Sequence, residues 1–76
     1  MSEKKDHSVR DRLSQVMKER NISPGMLSIK TGISDRMIRN YLKGQFQPTG
    51  YSLKMLAQGL GVSTDWLLGL EEEKND

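Results

Sequence analysis

A single glycine between two short helical patterns constrains this chain more than any other feature. Across Ser23–Lys43, SPGMLSIKTGISDRMIRNYLK, Met26, Leu27 and Thr31 recur at helical offsets before Gly32, and Ile38, Tyr41 and Leu42 recur after it. Residues three and four apart share one helix face. Ser23 is an N-cap type, and Pro24 suits the first helical position because its missing N–H would be unpaired there anyway. Gly32 follows the first pattern, where a left-handed residue turns the chain sharply. Ser34 then caps the second pattern. Helix, short turn with glycine, helix: the layout predicted is a helix-turn-helix.

The polar residues of the second helix indicate what that layout serves. Asp35, Arg36, Arg39 and Asn40 fall on the face away from Ile38 and Tyr41. Arginine grips O6 and N7 of guanine in two places, and asparagine does the same for N6 and N7 of adenine. A helix fits the DNA major groove, with its first half reaching deepest. These four residues are therefore the candidate base readers. Asp35 has two open roles, accepting from a cytosine amine or stabilising the helix N-terminus. A charged outer face alone is ordinary for a surface helix. The glycine turn, and the small Ser28 placed where two helices must approach, give that face a purpose.

Further residues fall in the same register: Leu27, Ser28, Gly32, Ile33, Ser34, Ile38, Tyr41, Gly44, Pro48, Leu53, Leu56, Ala57, Leu60, Gly61, Val62, Ser63 and the closing DWLLG. With them, the run from Val9 to Gly69 resembles the lambda-repressor-like helix-turn-helix family of phage and bacterial transcription regulators. The resemblance implies an all-α fold, a compact five-helix domain with the helix-turn-helix at its centre. It also implies binding of double-stranded DNA by a homodimer. Candidate phosphate contacts are Arg10, Ser23, Ser34, Lys43, Gln45 and Gln47. Lys43 in the last turn also complements the helix dipole. One departure is Pro24, where family members often carry a glutamine that bonds a phosphate.

Length and composition fit one small domain. Seventy-six residues without a cysteine have neither disulfides nor thiolate metal sites to support a core of that size. Charge is unevenly spread. From Arg10 to Lys54 nine basic residues stand against three acids, and beyond Lys54 one lysine stands against five acids. A basic body with an acidic end suits a polyanion-binding face with a remote tail. Residues 1–7 read as a disordered arm, 8–70 as the domain, and 71–76 as an acidic tail or linker. His7, the one histidine, has no second ligand type spaced to help it, so no metal site or cofactor is expected. No apolar run reaches membrane length and MSEKKDHS lacks a signal-peptide centre, which reads as a cytoplasmic protein.

Three further helices are expected. The first, from Ser8 to about Arg20, carries Val9, Leu13, Val16 and Met17 on its apolar stripe. A fourth runs from a Thr49 cap to Leu60, with Gly50 and Gly59 near its ends, where glycine costs least. A fifth, Thr64 to Leu68, follows a Ser63 cap and stops at Gly69. Between the motif and the fourth helix, Phe46 is expected to pack down on the domain. Trp66, Leu67, Leu68 and Leu70 exceed what one short helix can bury, so Trp66 and Leu70 are the candidate dimer contacts, with core cover as the other reading of Trp66. The function expected is a sequence-specific regulator, a phage or bacterial repressor on a palindromic operator, and not an enzyme. Alternatives are a protein-interaction module on this fold, such as an antitoxin or antirepressor, and the DNA-binding end of a longer repressor.

Overall fold

A computed structural model describes residues 8–74 of the chain; the expected N-terminal arm and the last two residues lie outside the described part. Within it are five helices: α1 (Ser8–Glu19), α2 (Pro24–Thr31), α3 (Asp35–Lys43), α4 (Gly50–Leu60) and α5 (Thr64–Leu67). No strand occurs among the described residues, and no helix is long and apolar enough to cross a membrane. The all-α, five-helix expectation holds.

The apolar stripes converge on one core. Leu13, Val16, Met17, Leu27, Ile38, Tyr41, Leu56, Ala57, Leu60, Val62, Trp66 and Leu67 form it, with Ile22, Ile33, Leu42 and Leu53 packed at its edge. α1 lies against α3 and α5, α2 against α3 and α4, and α4 against α5. Every helix thus buries its stripe on two others or at one end of the bundle, which is how elements this short stay folded. Met26 departs from its expected face: Leu27 and Thr31 are buried, but Met26 is exposed.

Close helix packing depends on a residue read differently in the sequence. At Gly59 on α4, a Cβ would stand 2.8 Å from Thr31 Cγ2 and 3.3 Å from Leu27 Cδ1 on α2. The glycine is there because α2 and α4 leave no room for a side chain, not because a helix end tolerates it. The small residue expected at the close approach was Ser28, which is half-buried. Thr49 is another correction. It precedes α4 in extended conformation, but its side chain makes no capping bond.

Residues 71–74, the described part of the expected acidic tail or linker, bond to the domain. Arg12 Nη1 donates to the carbonyls of Trp66 at 3.0 Å and Glu71 at 2.7 Å, and Nη2 lies 3.7 Å from Glu72 Oε1. Ser63 N–H donates to the Lys74 carbonyl at 3.2 Å, and its hydroxyl donates to Glu71 Oε1 at 3.0 Å. Lys74 Nζ reaches Glu19 Oε1 at 3.2 Å. Residues 71–74 therefore form a strap tied to α1 and to the α5 cap. Arg20, counted above with the basic body, is also structural, since its Nη1 donates to the carbonyls of Leu60 and Gly61 at the end of α4.

Candidate nucleic-acid interface

The turn that aims α3 is held by three local devices. Ser23 Oγ accepts from Met26 N–H at 3.1 Å, and Ser34 Oγ accepts from Met37 N–H at 3.2 Å, so each motif helix starts on a side-chain cap. Between them Gly32 sits at φ 79°, in the left-handed region, and its N–H donates to the Ser28 carbonyl at 2.8 Å. The third device was not read from the sequence. Buried Thr31 donates its hydroxyl to the Leu27 carbonyl at 2.8 Å and accepts from Ile33 N–H at 3.1 Å. One side chain thus closes α2 and fixes the first residue beyond the turn. Its signal was a hydroxyl just before a glycine, masked by its place on an apolar stripe.

On α3, Ile38 and Tyr41 are buried, while Asp35, Arg36, Arg39 and Lys43 are exposed and Asn40 is half-buried. The base-reading candidates thus share one helix surface. Arg39 Nη2 lies 3.8 Å from Asp35 Oδ2 across one turn. So exposed a pair contributes little stability, but it holds the guanidinium along the outer face and screens part of its charge.

The phosphate candidates divide into two groups. Arg10 comes from α1 to the far end of α3, where its Cδ lies 3.1 Å from the position a Cβ of Gly44 would take. Its Nε donates to Asp11 Oδ1 at 3.1 Å. Arg10 therefore joins Lys43 and the exposed Gln45 and Gln47 around the α3–α4 loop. The second group stands at helix starts. Ser23 and Ser34 are exposed, and each uses an oxygen lone pair for capping, which leaves its hydroxyl proton to donate outward. Ser23 also borders an open, largely apolar groove of about 470 Å³, with Met17, Ile22, Met26 and Leu42 in its wall and Lys18 and Asn21 at its rim.

Two expected side-chain placements are corrected. Trp66 is only 2% exposed, packed in the core with Arg12 and Lys74 over its ring at 4.9 and 5.4 Å from the centroid. The free chain offers no Trp66 surface to a partner. The core-cover reading is the one that fits, and Leu70, at 73% exposed, and Leu68, at 36%, are the apolar side chains left open at that end. Phe46 is more than half exposed instead of packed down.

A capped helix-turn-helix whose second helix carries Arg and Asn outward defines a DNA-binding regulatory domain. A helix-turn-helix family model matches residues 13–67, from the middle of α1 to the end of α5. The chain belongs to this lambda-repressor/Cro-like helix-turn-helix family, a family of DNA-binding regulators and not typically of enzymes. Searches of curated proteins and of solved structures gave no match.

Proposed function

We propose that this protein is a sequence-specific repressor that binds a palindromic operator as a homodimer. Arg36, Arg39 and Asn40 on the outer face of a helix capped at its start carry the reading. They are the side chains able to make bidentate contacts to guanine and adenine, and the major groove is where those edges differ. Asp35 pairs with Arg39 and stabilises the helix start, which favours the second of its two roles. Arg10, Lys43, Gln45 and Gln47 at one end of α3, and Ser23 and Ser34 at the starts of α2 and α3, grip the backbone.

One recognition helix reads too few base pairs to single out a site in a genome. A two-fold dimer doubles the site and sets the second helix ~34 Å along the same DNA face. Exposed Leu70, with the partly exposed Leu68 beside it, supports pairing through the α5 end. A patch that small pairs weakly in solution and completes its dimer on DNA.

Titration of a duplex selected from a random pool tests the reading. Each phosphate neutralised steepens the salt dependence by roughly 0.9 in log–log slope, so a dimer using a few cations per subunit should give about −4 to −8. Binding that is absent, or indifferent to salt between low and physiological concentration, sinks the proposal.

A further inference from the structure

Phe46 is exposed without being loose. Its side chain is 54% exposed, yet its loop is fixed on both sides. Gln45 N–H donates to the Asn40 carbonyl at 3.0 Å, and Pro48 is buried. The ring is therefore presented by a held backbone. Its surroundings are polar and cationic: exposed Gln45 and Gln47 flank it, Lys43 ends the preceding helix, and Arg10 rests on Gly44.

A loop leaving the end of a helix that lies in the major groove must cross the sugar–phosphate backbone. Cations and amides there can take the phosphates. A phenyl ring cannot; it can cover deoxyribose and the apolar parts of a groove wall, removing apolar surface from water. Continuity with the cations Arg10 and Lys43, and the ring's place outside the core cluster, single out DNA as its occupant. We propose that Phe46 is a DNA contact that packs on the deoxyribose wall beside the backbone gripped by Arg10 and Lys43. It adds affinity without a hydrogen bond or a charge. The inference rests on the DNA-binding reading above.

Wild type, Phe46→Ala and Phe46→Leu are titrated across a range of salt onto a duplex selected by the wild type and onto its half-site version. Phe46→Ala should bind the half-site about fivefold more weakly, the effect of losing roughly half the burial of one phenyl ring, and the two-half-site duplex, which takes two copies, roughly 25-fold more weakly. Its salt slope should be unchanged because no phosphate contact is lost. Phe46→Leu should retain most of the affinity, and the melting temperature of the free variants should match wild type. Equal binding by Phe46→Ala overturns the inference, as does a lowered melting temperature, which would make the ring a packing residue. Loss confined to the two-half-site duplex would assign it to contact between subunits, and a shallower slope would mean that it acts by positioning a cation. A wild type that binds no duplex overturns the DNA reading as well, so the two failures are distinguishable.

Discussion

The Ser23–Lys43 motif and the Ser63–Lys74 end both fix short helices on a small core, and they do it by different means. In the motif almost every restraint is local. Ser23 caps three residues ahead, Thr31 bonds four back and two ahead, and Gly32 closes onto Ser28. At the other end a local cap, Ser63 Oγ accepting from Trp66 N–H, is joined by restraints from far along the chain. Arg12 reaches Trp66 and Glu71 from 54 and 59 residues away, and Lys74 reaches back to Glu19. Local restraint leaves the outer face of α3 free for a ligand. Distant restraint uses up the polar groups that make it, so the α5 end is fastened and its main apolar side chain, Trp66, is closed in. One end is built to present side chains and the other to retain them.

Replacing the retained side chain should have the largest effect. Trp66→Ala removes a buried indole together with both cation contacts, which should cost about 3–5 kcal/mol. Against a total near 5–15 kcal/mol for domains in general, that removes a large share of the stability and should lower the melting temperature by many degrees. Circular dichroism with heating checks it. A folded Trp66→Ala with normal melting would return the indole to the surface and undo the contrast between the two ends.

Backbone positions come next. Gly32→Val forces a β-branched residue into the left-handed region and should cost ~1–3 kcal/mol. Gly59→Ala must push α2 and α4 apart against Thr31 Cγ2 and should cost a similar ~1–3 kcal/mol. Urea denaturation of the free protein measures both. The two differ in kind, since Gly32 is demanded by a local turn and Gly59 by a neighbouring helix. An unaffected Gly59→Ala would mean that the two helices can separate freely.

On the presenting face, stability and binding should come apart. Arg39→Ala removes only a solvent-screened pair from the fold, so melting should hardly move. It should nevertheless cost ~1–3 kcal/mol on the preferred duplex and relax preference at one or two base pairs. Lys43→Ala should instead weaken all sequences about equally. Competition binding with single-base variants of the duplex separates them. Equal losses on every sequence from both variants would remove α3 from the major groove.

The smallest effect expected is a pH dependence of the strap. The Gln15 side-chain amide first, and Lys74 second, hold the Glu19 carboxyl below its ordinary range. A carboxyl lowered by folding contributes stability above its unfolded pKa and loses it as pH falls through the folded value. Glu19→Gln should therefore melt slightly below wild type at neutral pH. The gap should close on acidification through and below the usual carboxylate range. A gap that stays constant to low pH would show that the ionised carboxylate contributes nothing there.

The same division explains what could be read from the sequence. Caps, apolar offsets and the Gly32 turn are short-range, so α2 and α3 and their outward Arg and Asn residues were legible. Helix ends were legible to about a residue for the same reason. Trp66 was not, because its covering groups, Arg12 and Lys74, belong to a different helix and to an apparent tail. A surplus of apolar side chains on a short helix says that something must cover them, but not whether that cover is a second subunit or the chain itself. Gly59 was misread similarly, its reason lying on α2. Phe46 sits in a loop with no periodicity to aim it, and only the folded backbone determines which way its ring faces.

The closed-in indole has one more consequence. It is the chain's single tryptophan, so intrinsic fluorescence reports from one place, where α1, α5 and the strap meet. The base-reading candidates are carried by a different helix, α3. Emission should therefore follow detachment of the strap, and any change while duplex is added should report pairing of the α5 ends and not contact at the base-reading face. The molecule carries its own optical probe, set away from the helix that carries the base-reading candidates.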